Sequence, residues 1–353
     1  MSSLAEQLMA GPRGRQVCVE TPSFTDPALT RARFELRHHL DPGPTVRLRI
    51  GDGDDEPIDV SAEMIALKEA LASVCDVEEH FVHLALETAV EQAMYWQEPE
   101  GAQILAARPE IAPEINGIAD LIAKSPIAQW WTDPMAADQF QVRREGWREG
   151  ARLPAGSVLT TWAEDTRSEE ARAAVERPSD PRAAYSAIWW SCPPHQLIQT
   201  CSAQACVPTG LYLVEDGLGE TRATVHGVSG AGRVLEIDSA AVWADLCREY
   251  PLEVTASKRH DWYRTTGLAD TRWVMPDWAS VAQVYDAAHL QVGAYLAASG
   301  TAIEVEPGVH SVIAGWAPGD TFWLTDVVEV EPRGRIFVKD RDDDLWHAEE
   351  ENP

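Results

Sequence analysis

The densest run of groups able to do chemistry lies between residues 257 and 289. Ser257-Lys258-Arg259-His260-Asp261-Trp262-Tyr263-Arg264 sets cations, an imidazole and a carboxylate beside two aromatic rings, and Asp277, Tyr285, Asp286 and His289 follow. Arg259 and Arg264 are candidates to hold a phosphate or carboxylate in a bidentate grip. Trp262, Tyr263 and Tyr285 are candidates to stack on the same ligand. His260, Asp286 and His289 are the acid–base candidates. On a helix capped by Asp277 and running through residue 287 or beyond, Asp286 and His289 stand three apart and touch, which would make the imidazole a general base or a holder of a substrate hydroxyl. The competing reading is a polar seam, in which Arg–Asp pairs and aromatic packing merely join elements.

A second set has metal-like spacing. Cys192, His195, Cys201 and Cys206 form a C-x2-H-x5-C-x4-C cluster of the ligand types that zinc takes in a tetrahedron. Two prolines inside its first pair and the apolar flanks, residues 188–190 and 197–198, favour buried thiols over a metal. His80, His83, Glu87 and Glu91, spaced three, four and four, share one helix face that suits a transition metal or, equally, the polar shoulder of an amphipathic helix. Asp52, Asp54, Glu56 and Glu63 occupy positions 1, 3, 5 and 12 of a calcium loop, but position 6 is Pro57 where the turn requires Gly, and a solvated loop is the better reading. Gly227, Gly230 and Gly232 follow a strand in an order that is not a dinucleotide fingerprint, and read as a hairpin loop.

These side chains need elements to position them. Asp26-Pro27 predicts a helix to about residue 40, and residues 61–74 and 77–96 predict two more, with shorter helices over 101–107 and 113–124. Residues 16–20 and the alternation of Val46, Leu48 and Ile50 predict strands. Residues 211–215 and 221–226 around Asp216-Gly217 predict a hairpin, and 234–237 another strand, with Asp238 or Ser239 capping a helix to residue 249. Residues 312–316, 321–328 and 335–339 predict closing strands. The expected fold is α+β: a mostly helical region over 1–140, a mixed domain with mainly antiparallel strands over 150–339, and an acidic tail over 340–353 expected to be disordered.

Composition bounds the function. The 353 residues hold 29 basic and 57 acidic side chains, a net charge of −28. The acidity is even, with 13 basic against 26 acidic groups in residues 1–150 and 16 against 31 in 151–353, so broad phosphate neutralisation on nucleic acid and attraction to anionic membranes are both disfavoured. The chain shows no apolar run of membrane length and no basic-then-apolar leader, so a cytoplasmic location is expected. Eleven of the fourteen tryptophans lie after residue 140, which favours either dense packing or an aromatic-lined pocket there.

The phrases Trp189-Trp190-Ser191, residues 215–219 (Glu-Asp-Gly-Leu-Gly), Pro276-Asp277-Trp278, residues 285–290 (Tyr-Asp-Ala-Ala-His-Leu), Gly315-Trp316 and Trp323-Leu324 together resemble a group of actinobacterial proteins of unknown function. The resemblance implies a source and attaches no activity, cofactor or catalytic residue. From the residues, the chain leans toward an enzyme of transferase or hydrolase type acting on an anionic or nucleotide-like small molecule. An ADP-ribosyl-transfer version would draw its Glu-x-Glu from Glu304 and Glu306 or Glu329 and Glu331. The alternative is a non-enzymatic interaction, immunity or assembly protein that meets a protein partner through an acidic, Trp-rich surface. Zinc and a nucleotide are the cofactor candidates.

Overall fold

The computed structural model describes residues 2–43, 58–146, 152–217, 219–341 and 344–349. Its first third is helical: α1 (Leu4–Ala10), α2 (Pro12–Ser23), α3 (Pro27–Leu40), α4 (Val60–Ala72), α5 (Glu79–Glu91), α6 (Gly101–Ala106) and α7 (Ala112–Lys124), closed by a 3-10 turn over Pro126–Thr132. Local chemistry sets several starts. Asp26 Oδ1 accepts from the Ala28 N–H at 2.8 Å ahead of Pro27, and Asp59 accepts from Ser61 and Ala62 ahead of α4. Caps of this kind are each worth about 1 kcal/mol.

Residues 16–20, expected as a strand, lie inside α2. Ten of its twelve residues are buried, Arg13, Gln16 and Glu20 among them, so polar residues are enclosed along with apolar ones and the usual contrast between a wet and a dry face is absent. The expected strand at residues 46–50 and the acidic turn with Asp52, Asp54 and Glu56 fall outside the described residues; Glu63 lies in the first turn of α4.

Beyond the helices run β1 (Gln139–Arg144), α8 (Ala155–Glu176), β2 (Ile198–Cys201), β3 (Ala203–Gln204), β4 (Val207–Pro208), β5 (Arg222–Gly230), β6 (Val234–Ile237), α9 (Ala240–Glu249), β7 (Pro251–Glu253), α10 (Thr255–Thr266), β8 (Arg272–Pro276), α11 (Trp278–Val281), β9 (Ala287–Leu290), α12 (Val292–Ala298), β10 (Ile303–Glu306), β11 (Val309–Ser311), β12 (Asp320–Trp323), β13 (Val328–Lys339) and β14 (Trp346–Ala348). The fold is α+β. An eight-stranded sheet has the order β14-β13-β5-β1-β2-β12-β9-β6, and every pairing is antiparallel except β6 with β9. A four-stranded sheet has the order β10-β11-β8-β7.

Several expected elements form differently. Residues 211–215 make no strand, and β5 pairs with β1 and β13 instead of closing a hairpin, although Asp216 does turn with a φ of 51°. Gly227 and Gly230 belong to the end of β5, not to a hairpin loop. Residues 312–316 contribute a single bridge, Ile313 to Ser299. Within the tail, Trp346–Ala348 pairs with β13 because Trp346 is buried against the core and anchors an otherwise acidic stretch.

One hydrophobic core runs from Val17 and Cys18 on α2, through Ala294 and Leu296 on α12, to Ala288 and Phe322 in the sheet. Beside the sheet, Trp243, Trp278 and Trp316 are fully buried with centroids 5.6–6.4 Å apart. Each indole N–H has a partner: Ser311 Oγ at 2.9 Å, the Ser191 carbonyl at 3.0 Å and the Asp320 carbonyl at 3.1 Å. These bonds matter because an interior indole left without one carries its desolvation penalty unrelieved. Among the described residues no helix is long and apolar enough to cross a membrane.

Candidate functional site

Strand pairing assembles the site. β9 lies between β6 and β12, so Glu236, His289 and Thr321 form one row across three strands on one face of the sheet, and Thr200 of β2 extends it. The Thr321 hydroxyl lies 3.0 Å from His289 Nδ1, and the ring also bonds to the Asp320 backbone. His289 is 5% exposed, and it lines a cavity of about 280 Å3 with Trp130, Asp133, Met135, Ser202 and Gln204. Burial lowers its pKa to about 4, so the ring is neutral at pH 7. Glu236 Oε1 accepts the Met135 N–H at 3.0 Å and thereby fixes the loop that walls the cavity, while its buried Oε2 has the Gln291 side chain beside it but, among the described residues, no hydrogen bond of good geometry. Burial raises the Glu236 pKa as well.

The three expected acid–base residues are not brought together. The helix expected through residue 287 ends at Val281, because β9 gains ladder bonds on both sides and a buried row of small apolar residues, Ala287 and Ala288. Asp286 lies in the bend that precedes β9, while His289 is inside the strand, so the two are not on successive turns of one helix. Asp286 accepts the Arg233 N–H at 2.8 Å and the Thr325 hydroxyl at 3.1 Å, which holds its pKa down. His260 is buried on α10 with Nδ1 3.3 Å from the Pro181 carbonyl.

The basic and aromatic stretch is the inner lining of a clasp. Arg264 donates to the Trp96 and Tyr185 carbonyls and pairs with the fully buried Asp261, which also accepts from Ser186 and Ala187. Arg259 donates to the Ser179 carbonyl, Trp262 is buried with its N–H on the Trp189 carbonyl, and Arg182 lies over the Tyr263 ring. Lys258 Nζ donates to the Ile188 carbonyl at 2.8 Å, and burial lowers its pKa to about 8. The cations of α10 thus satisfy the carbonyls of residues 179, 185 and 188, the Trp96 carbonyl and the Asp261 carboxylate, and do not converge on a shared anion site. Tyr285 lies outside this group, half-buried beside Asp286.

The four residues of the zinc cluster do not converge. Cys206 is exposed in a turn at φ 67°, and Cys201 accepts the Gly210 N–H at 3.2 Å from within β2. Only Cys192 and His195 meet, Sγ to Nε2 at 3.6 Å; His195 is hydrogen-bonded to Gln199, which donates to Asp320. Burial, with Glu215 next in weight, raises the Cys192 thiol, and burial lowers His195, so the pair rests as thiol and neutral imidazole. On α5, His83 packs on Tyr212 and Glu87 pairs with Lys339 at 3.3 Å, so that face joins the helices to β13. Among the described residues no group of three His, Cys, Asp or Glu could hold a metal ion. Glu304, Glu306, Glu329 and Glu331 are exposed, and none lines this cavity.

Sequence reasoning singled out His289 but missed Trp130, Ser202, Gln204, Glu236 and Thr321. One signal was present: Glu236 is a carboxylate inside the apolar strand Val-Leu-Glu-Ile, and such a residue needs a reason to be there. No protein-family model matches this sequence, and no curated protein or solved structure is similar to it.

Proposed function

We propose that the protein is an enzyme of hydrolase or transferase type whose site is the cavity under Trp130. In this reading His289 acts as general base on a hydroxyl or water. The observation that carries it is a neutral imidazole, fixed at Nδ1 by Thr321, on the wall of a cavity sized for a small metabolite. Among the described residues the lining includes Asp133 and no Lys or Arg, and Glu236 stands beside His289, which favours an uncharged or cationic polar substrate over an anion. Trp130 supplies an apolar face against which a sugar or other planar ring can lie. The interaction-protein alternative draws less support, because Trp131, Trp243, Trp262, Trp273, Trp278, Trp316 and Trp323 are nearly or fully buried, which leaves Trp190, with Tyr185 and Ile188 near it in sequence, as the exposed aromatic stretch.

The test is ligand-observed NMR with a panel of sugars, polyols, nucleosides and amides against the intact chain, repeated with His289→Gln and Trp130→Ala. Binders that are lost in both variants, with turnover lost in His289→Gln, are the expected result. Binding that is indifferent to both substitutions would overturn the assignment.

A further inference from the structure

The interior between the helical layer and the sheet holds a second titratable group, remote in role from the His289 cavity and argued independently of it. Glu215 enters from the 212–217 segment. Around its carboxyl stand Tyr295 from α12, Arg13 from α2, the Gly315 N–H and Tyr95 from the segment after α5. Cys192 lies close enough for the two groups to repel when ionised. Tyr95 and Tyr295 are linked hydroxyl to hydroxyl at 3.1 Å, and the Arg13 guanidinium lies 5.4 Å from the Tyr95 ring centroid. Arg13, Tyr95, Tyr295 and Ser299 are each 2% exposed or less.

The hydrogen bonding is incomplete in one direction. Both Glu215 carboxyl oxygens are buried without a hydrogen bond of good geometry, and so are Arg13 Nε and Ser299 Oγ. Arg13 spends Nη1 on Gln16 Oε1 and on the Ala89 and Gln92 carbonyls, each at 3.2 Å, and not on Glu215. A carboxylate here would need donors for two oxygens in a place that water does not reach, and a buried ion without donors is far costlier than a neutral acid. The neutral acid instead brings its own O–H donor to the tyrosine hydroxyls.

We infer that Glu215 is a proton-binding site that locks the helical layer onto the sheet half of the protein: with the proton bound the contact is closed, and release of the proton to solvent loosens the packing of α2 and α12 around it. The groups facing the carboxyl favour this. One cation, Arg13, has its Nη1 on carbonyls and Gln16; the Tyr295 and Tyr95 hydroxyls and the Gly315 N–H favour the anion in part, and Cys192 opposes it, but none of them carries a neutralising charge. Burial accordingly pushes the Glu215 pKa up to about 7, with Tyr295 and Arg13 offsetting only part of the rise. The next residue, Asp216, is exposed.

Hydrogen exchange read by mass spectrometry on the full chain tests this, at about pH 6 and about pH 8 with intrinsic exchange rates corrected. The expected result is protection of the Pro12–Ser23 and Val292–Ala298 peptides that falls about tenfold across that interval. Glu215→Gln, which mimics the neutral acid, should keep the high protection at both pH values. Protection that does not change in the wild type, or changes equally in Glu215→Gln, overturns the inference. Infrared spectroscopy of the wild type provides a check that needs no variant to fold. A buried carboxylic-acid C=O band present at the lower pH and lost at the higher supports the lock, and its absence at the lower pH refutes it.

Discussion

His289 and Thr321 show how one hydroxyl decides what an imidazole can do. Thr321→Val keeps the shape and removes the Nδ1 partner, so the ring should lose its fixed tautomer and the protein about 1 kcal/mol of stability. Nitrogen-15 shifts of the imidazole and urea denaturation read the two effects separately. Gly315 and Gly300 act at the same scale. Both have left-handed backbone, at φ 76° and 72°, and a Cβ on either would run into an aromatic ring, Trp190 or Tyr95 respectively. Gly315→Ala should therefore cost roughly 1–2 kcal/mol in backbone strain and about 1–3 kcal/mol in overpacking, seen as a lower urea midpoint at unchanged slope.

At the scale of elements, α10 matters as a clasp. Its N-terminal N–H groups at Ala256 and Ser257 are held by the Glu170 carboxylate of α8 at 2.7 and 2.8 Å, and its basic residues tie down the chain that carries Trp189, Trp190 and Cys192. Arg264→Ala leaves Asp261 buried without its cation. Breaking a buried pair costs about 3–5 kcal/mol, and the remaining Ser186 and Ala187 bonds put this case toward the lower end. The expected outcome is a lower melting temperature together with new protease cleavage between residues 179 and 189. Arg259→Ala, which gives up one carbonyl contact at the surface, should change the melting temperature little and serves as the comparison.

For the molecule as a whole, the buried ionisable groups oppose one another with pH. Glu215 and Asp320 both have folded pKa values raised to about 7, above their ordinary 4.5 and 3.8, so their contribution to stability is full at low pH and is lost as pH rises to 7. His289, lowered from 6.5 to about 4, contributes above pH 6.5 and loses that contribution as pH falls toward 4. On mild acidification from neutrality the two acids gain while the histidine loses. Glu215→Gln combined with Asp320→Asn should therefore make the protein more sensitive to acid than the wild type, measured as urea midpoints between about pH 4.5 and 7. His289→Gln should shift the balance the other way. The net charge of −28 adds a diffuse repulsion, which salt should relieve as a modest rise in melting temperature.

The α+β class, the helix that opens on Asp26, the helix over about residues 61–74, the helix capped at Ser239 and the strands at β5 and β6 were legible in the sequence, because caps and alternation are local and each residue carries its own propensity. The sequence also placed His289 among the groups able to do chemistry. It misread α2, because a helix enclosed on all sides loses its period, and it misread β9, because the helical reading of residues 277–287 was outweighed by pairing with β6 and β12 far along the chain. Tertiary contacts set Arg259 on the Ser179 carbonyl and Arg264 on Asp261 and two carbonyls, keep Cys192, His195, Cys201 and Cys206 from converging, and put Glu236, His289 and Thr321 in one row. Hydrogen-bond satisfaction and strand register depend on partners 32 to 168 residues away, and no local pattern encodes which partner a side chain will meet.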